Sequence, residues 1–184
     1  MIRRFLDRSI RRFSNHYDYD ASYMREILDE STAAGFQLAM SSALLQRDFG
    51  VSKEALYAAK IRSVMRADCG PCLRLAMTMA DESGLSPDAI LTALGHGEAS
   101  EDAALAIRFA DAVLDNSADL AETVEEARKR FGDRARIGLA VAVLAGQFYP
   151  LLKRGMGHAA TCEPVVRDYI AANTREEEFA HAAE

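Results

Sequence analysis

The chain has 184 residues, about the length of one domain, and 49% of them are hydrophobic, enough to build a sizeable core without cross-links. A formal net charge of −6 removes general nucleic-acid binding, which needs a basic field over much of the surface. Three cysteines are too few for a disulfide framework and fit a reducing, cytoplasmic compartment.

Proline is scarce, tryptophan is absent and alanine is frequent, a mixture that favours helices over strands. The longest apolar stretch, Ile137 to Phe148, falls short of the ~20 residues that span a bilayer. Residues 1–20 form a basic arm and linker. Ile2, Phe5, Leu6, Ile10 and Phe13 recur at helical spacing among five arginines, and His16 to Asp20 read as a linker. Such an arm packs on its own domain or on a neighbouring subunit; attachment to an anionic membrane is the less favoured reading.

Residues 21–173 carry the helical domain. A long pattern from Ser22 to Phe49 has a break expected near Gly35, with Gly50 beyond its end. Ser52 is placed to cap the helix through Ala55 to Met65. After the cysteines a helix runs to about Glu82 and stops at Ser83-Gly84. Ser86-Pro87 and Ser100-Glu101-Asp102 mark two further starts. Asp119 and Glu122 have capping-box spacing, and Asp133 can cap a last long helix that Gly146, Pro150, Gly155 and Gly157 are expected to interrupt. Pro164 is expected to kink or restart it, and residues 174–184 form a polar tail. No alternating strand pattern occurs. The fold class is all-α, a bundle of about eight helices.

The chemical signal is Cys69-Gly70-Pro71-Cys72. Glycine allows a tight turn, and proline suits a first helical turn because it has no N–H to leave unpaired. The dithiol therefore sits at a helix N-terminus, where free N–H groups and the helix dipole favour thiolate, the attacking species in disulfide exchange. Arg66 and Arg74 lie nearby in sequence as surface charges. Two other readings compete. The cysteines could be ordinary core residues, or Cys69, Cys72, His158 and Cys162 could hold zinc, although the glycines before His158 weaken that helix. The dithiol reading is preferred, with no metal and no cofactor. A thioredoxin context does not fit, because the residues before Cys69 read as a charged helix and there is no tryptophan. His96 reads as a loop residue, Met65, Met77 and Met79 as core filler, and Glu125 to Arg130 as a solvated face.

With Ala67-Asp68-Cys69-Gly70-Pro71-Cys72, the segment Gly84 to Ile90 and the helix Ala103 to Leu114 in view, the chain resembles the carboxymuconolactone decarboxylase superfamily, in its alkylhydroperoxidase D-like branch, over about residues 50–150. The resemblance implies an all-α homo-oligomer (dimer, trimer or hexamer). It also implies dithiol chemistry, in some members peroxide reduction fed by a thiol-protein electron donor. Peroxidase members carry a Glu twelve residues before the first cysteine and a His four after the second, where this chain has Tyr57 and Ala76. Tyr57, Glu54 and His158 are the candidates to relay protons in their place. Helix-start chemistry favours Cys69 as the attacking thiolate, whereas the resemblance points to Cys72. The expected function is a dithiol oxidoreductase using Cys69 and Cys72; the alternative is a non-redox helical oligomer acting as a binding or structural module.

Overall fold

The computed structural model describes residues 1–158 and 165–173, and all regular structure among them is helical. The helices are α1 (Ile2–Tyr17), α2 (Ser22–Glu30), α3 (Thr32–Leu45), α4 (Lys53–Arg66), α5 (Gly70–Glu82), α6 (Pro87–Ala93), α7 (Glu101–Asp115), α8 (Leu120–Phe131) and α9 (Asp133–Gly155). A further helix, α10, covers residues 165–173. Pro164, Cys162 and the tail from Thr174 lie outside the described residues, as do the expectations placed on them.

Serine caps set four of the helix starts. The side chains of Ser52, Ser86 and Ser100 each accept the N–H three residues on, satisfying a donor that the first turn leaves orphaned. Ser31 does the same for Ala34 and, in an extended conformation, divides α2 from α3. The break expected at Gly35 is therefore four residues earlier. Gly35 has another purpose: a Cβ there would lie 2.7 Å from Leu28 Cδ1, so glycine permits close contact between α2 and α3. Asp119 makes no capping bond, because its carboxylate is engaged by the Ser117 hydroxyl. Gly132, not Asp133, is the N-cap of α9. That helix runs unbroken through Gly146 and Pro150, correcting the expected interruptions.

The core is built around α4, which packs on α5, α7 and α9. Its contact with α9 is close enough that a Cβ on Gly146 would lie 2.5 Å from Ser63 Cβ and 2.9 Å from the Lys60 carbonyl oxygen. Ser63 Oγ donates to the Val143 carbonyl at 2.7 Å, and Gln147 Nε2 donates to the Ser63 carbonyl at 2.6 Å. Ile61, Leu73, Phe109 and Leu139 are fully buried here. Each such side chain is worth ~1.5–3 kcal/mol on removal from water. The Arg62 and Arg66 pairs with Asp111 that also join α4 to α7 are part-exposed and count for less. Helix α9 is long and apolar enough by composition to cross a membrane, but 44% of its apolar window is buried in the bundle.

Among the described residues, helices α3 and α9 leave apolar side chains uncovered, as the N-terminal turns of α1 do at Ile2 and Phe5. Helix α3 is apolar on all sides, yet buries only Gly35 and Leu45 and exposes Phe36, Met40 and Leu44. Helix α9 exposes Ile137, Leu144 and Leu151, seven residues apart.

Candidate redox site

The cysteine turn follows directly from the end of α4. Ala67 is the C-cap of that helix, Asp68 takes a left-handed conformation at φ 50, and Cys69 returns to extended backbone as the N-cap of α5. Pro71 lies in the first turn, as its fixed φ and missing N–H require. Cys69 and Cys72 are three apart, so they share one helix face. They form a disulfide with Cα atoms 5.3 Å apart, within the ordinary range. Both are buried, at 3% and 6% exposure. Arg154, at the end of α9, donates to the Ala67 carbonyl and ties that helix to the turn.

The residues around the sulfurs come from the N-terminal arm and from α9. Tyr19 is 6% exposed, and its hydroxyl donates to Cys72 Sγ at 3.8 Å. The segment read as a linker is therefore packed at this point: Asp18 closes α1 in a left-handed conformation, and the chain turns Tyr19 into the core. Ser14 Oγ donates to the Tyr19 carbonyl at 2.7 Å and holds the turn. Tyr23 follows on α2, fully buried and edge-on to Tyr19. The ammonium of Lys153 lies 4.7 Å from the Tyr19 ring and 5.4 Å from the Tyr23 ring, a buried cation against two aromatic faces.

Burial sets the protonation of this group. It pushes the Tyr19 phenol up to about 12 and raises Tyr23 as well, so both hydroxyls keep their protons at neutral pH and can donate. Burial also lowers the Lys153 ammonium, an effect that nearby Asp20 partly offsets.

A cavity of about 270 Å³ opens beside the disulfide. Cys72 lines it and Cys69 does not. Ile10 and Phe13 of α1, Leu38 of α3 and Leu75 and Met79 of α5 form much of its wall. Tyr19 and Lys60 also line it.

Of the three candidate relay residues, Tyr57 and Glu54 lie apart from this cluster, and His158 borders it through Tyr23. The Tyr57 hydroxyl is 2.9 Å from Ser83 Oγ, just past the far end of α5. Ten helical residues separate Ser83 from Cys72, ~16 Å at the α-helical rise. Glu54, a turn before Tyr57, accepts from Ser100 Oγ at 2.7 Å. His158 follows α9, with Nδ1 3.3 Å from Ser22 Oγ and Nε2 3.1 Å from Glu26 Oε2, and its ring lies 6.3 Å from that of Tyr23. Its place is behind the tyrosines, and neither cysteine is among its hydrogen-bond partners. Cys162, the remaining member of the zinc alternative, is outside the described residues. Arg66 pairs with Asp111 and Asp115 and so is a surface charge, as expected.

Sequence reasoning missed Tyr19, Tyr23, Lys153 and Lys60. The available signal was the tyrosine series Tyr17, Tyr19 and Tyr23, together with a lysine four residues after Tyr149 on an apolar helix. Comparison with protein-family models, with curated proteins and with solved structures finds no match.

Proposed function

We propose that the protein is a dithiol oxidoreductase that cycles Cys69 and Cys72 between dithiol and disulfide, with peroxide reduction as one route of oxidation. The observation that carries this reading is the position of Cys72. Its sulfur is paired with Cys69, borders the apolar cavity and accepts a hydrogen bond from Tyr19. The resemblance to the alkylhydroperoxidase D-like branch points the same way and favours Cys72 as the sulfur that meets oxidant.

The Cys72 thiolate attacks the terminal oxygen of a hydroperoxide and the O–O bond breaks. The leaving alkoxide takes a proton and departs as the alcohol, leaving a sulfenic acid on Cys72. The Cys69 sulfur then attacks Cys72 Sγ, the S–O bond breaks, and the oxygen leaves as water with the Cys69 proton. Two thiols and one hydroperoxide give a disulfide, an alcohol and water. A dithiol partner protein restores two electrons and two protons. In this scheme Tyr19 takes the place sought for Tyr57 and Glu54, as the hydroxyl that donates to sulfur or to the departing oxygen.

The uncovered faces of α3 and α9 support assembly as a homo-oligomer, since a helix apolar on all sides is normally buried. A reducing, cytoplasmic setting suits a dithiol that must return to the reduced state. The burial of both sulfurs favours a second reading, a non-redox oligomer with an inert disulfide. The two separate in a single-turnover experiment. Reduced protein is mixed with cumene hydroperoxide, quenched by alkylation and weighed. Loss of two thiols per hydroperoxide consumed supports the oxidoreductase; thiols that outlast an excess of hydroperoxide support the inert oligomer.

A further inference from the structure

The wall of the cavity beside Cys72 is apolar except at a few points, and most of those are already satisfied. The Tyr149 hydroxyl donates to Ser42 Oγ at 2.6 Å, Ser42 Oγ donates to the Leu38 carbonyl at 2.8 Å, and Ser9 Oγ donates to the Phe5 carbonyl at 3.0 Å. Lys60 is different. It stands mid-helix on α4, half-buried, on the face that also brings Val64 into the wall. Among the described residues it has no ion-pair or hydrogen-bond partner, and its ammonium has only the Tyr57 ring, 5.3 Å away. The neighbouring cations of α4 are all satisfied: Lys53 by the Ser83 carbonyl at 2.8 Å, Arg62 by Asp111, and Arg66 by Asp111 and Asp115. Burial of Lys60 lowers the affinity of its amine for a proton, which an anion beside it would restore.

A partly desolvated cation in the wall of an apolar cavity calls for a counter-charge attached to an apolar body. We propose that this cavity binds an amphipathic carboxylate, its aliphatic chain among the side chains of α1, α3 and α5 and its head group on the Lys60 ammonium. The chain would then run past Cys72. This names the class of molecule that meets the dithiol and rests on the dithiol reading only for the chemistry that follows; binding itself does not require it. An aliphatic carboxylate bearing a hydroperoxide would serve as the hydroperoxide of the step given above.

The test is calorimetric titration of the full-length protein, in its disulfide form, with octanoate, octan-1-ol and octyltrimethylammonium. Octanoate is expected to bind one per chain, about tenfold tighter than octan-1-ol, the scale of a charge-assisted hydrogen bond. The cationic probe should bind weakest. Lys60→Met should bring octanoate down to the level of octan-1-ol and leave octan-1-ol unchanged, which also shows that the variant has folded. Lys60→Arg should keep the preference for octanoate. Equal binding of octanoate and octan-1-ol by the wild-type protein would overturn the proposal. So would an octanoate affinity indifferent to Lys60→Met, or no binding by any probe, as when a second copy of the chain fills the cavity. Octanoate binding to a protein whose dithiol never turns over would leave this inference standing and remove the redox reading.

Discussion

Helix α4 has two different neighbourhoods. On the α9 side, small residues let backbones nearly touch: Gly146 lies against Ser63 and Lys60 of α4, and a Cβ on Gly138 would lie 2.2 Å from the carbonyl oxygen of Asp48, in the segment leading into α4. On the α1 to α3 side, longer side chains meet less completely and leave about 270 Å³ open beside Cys72. The first side is a frame in which little can shift without cost. The second has space, a sulfur and a cation, Lys60, with no ion-pair partner among the described residues. The cysteine turn stands where the two meet, fastened to the frame by Arg154 and touched from the open side by Tyr19. The contrast separates a close-packed frame on one side of α4 from the open side where the proposed chemistry would take place.

Substitutions on the two sides of α4 should have different effects. The largest effect is expected at the dithiol: Cys69→Ser or Cys72→Ser should abolish disulfide turnover in an assay supplied with hydroperoxide and a dithiol reductant, while far-UV circular dichroism stays unchanged. Next is the frame. Gly146→Ala drives a methyl group into α4 backbone and should cost ~1–3 kcal/mol in urea unfolding, without changing the reactivity of reduced Cys72.

Tyr19→Phe removes the donor to Cys72 Sγ and should slow alkylation of reduced Cys72 about tenfold, the scale of a hydrogen bond to a charged group. The same variant has a signature at high pH. Burial raises the Tyr19 phenol from 10.0 to about 12, so the folded state favours the protonated form. The stability that Tyr19 contributes is complete below pH 10.0 and is lost as pH climbs towards about 12. Tyr19→Phe should flatten that part of the stability profile. The smallest effects are expected at Tyr57→Phe and Glu54→Ala, which break bonds to Ser83 and Ser100 far from sulfur. Both should leave Cys72 alkylation within about twofold of wild type, each lost bond being a single ordinary hydrogen bond.

Much of the fold could be read from local signals. Ser52, Ser86, Ser100 and Pro71 announce helix starts because capping and proline geometry act over three or four residues. The disulfide-forming pair was legible for the same reason. Gly35, Gly146 and Pro150 misled, because a glycine kept for close helix approach and a proline held by tertiary packing look in sequence like breaks. The residues around the dithiol were hidden for a different reason. Tyr19 is 53 residues from Cys72, and a polar stretch with two aspartates and two tyrosines has no period that marks one ring as buried. Tyr57 was sought by its spacing along the chain, but the antiparallel pairing of α4 with α5 carries it to Ser83.

The central claim is that Cys69 and Cys72 form a working redox couple, and equilibrium redox titration of the full-length protein, with thiols trapped by alkylation and counted by mass, tests it most directly. The account predicts reversible exchange of two electrons between dithiol and disulfide near cytosolic potentials, ~−220 to −320 mV, in wild type and none in Cys72→Ser. Cysteines that stay in one state across that range would contradict it and leave the protein an all-helical fold with an inert pair of sulfurs.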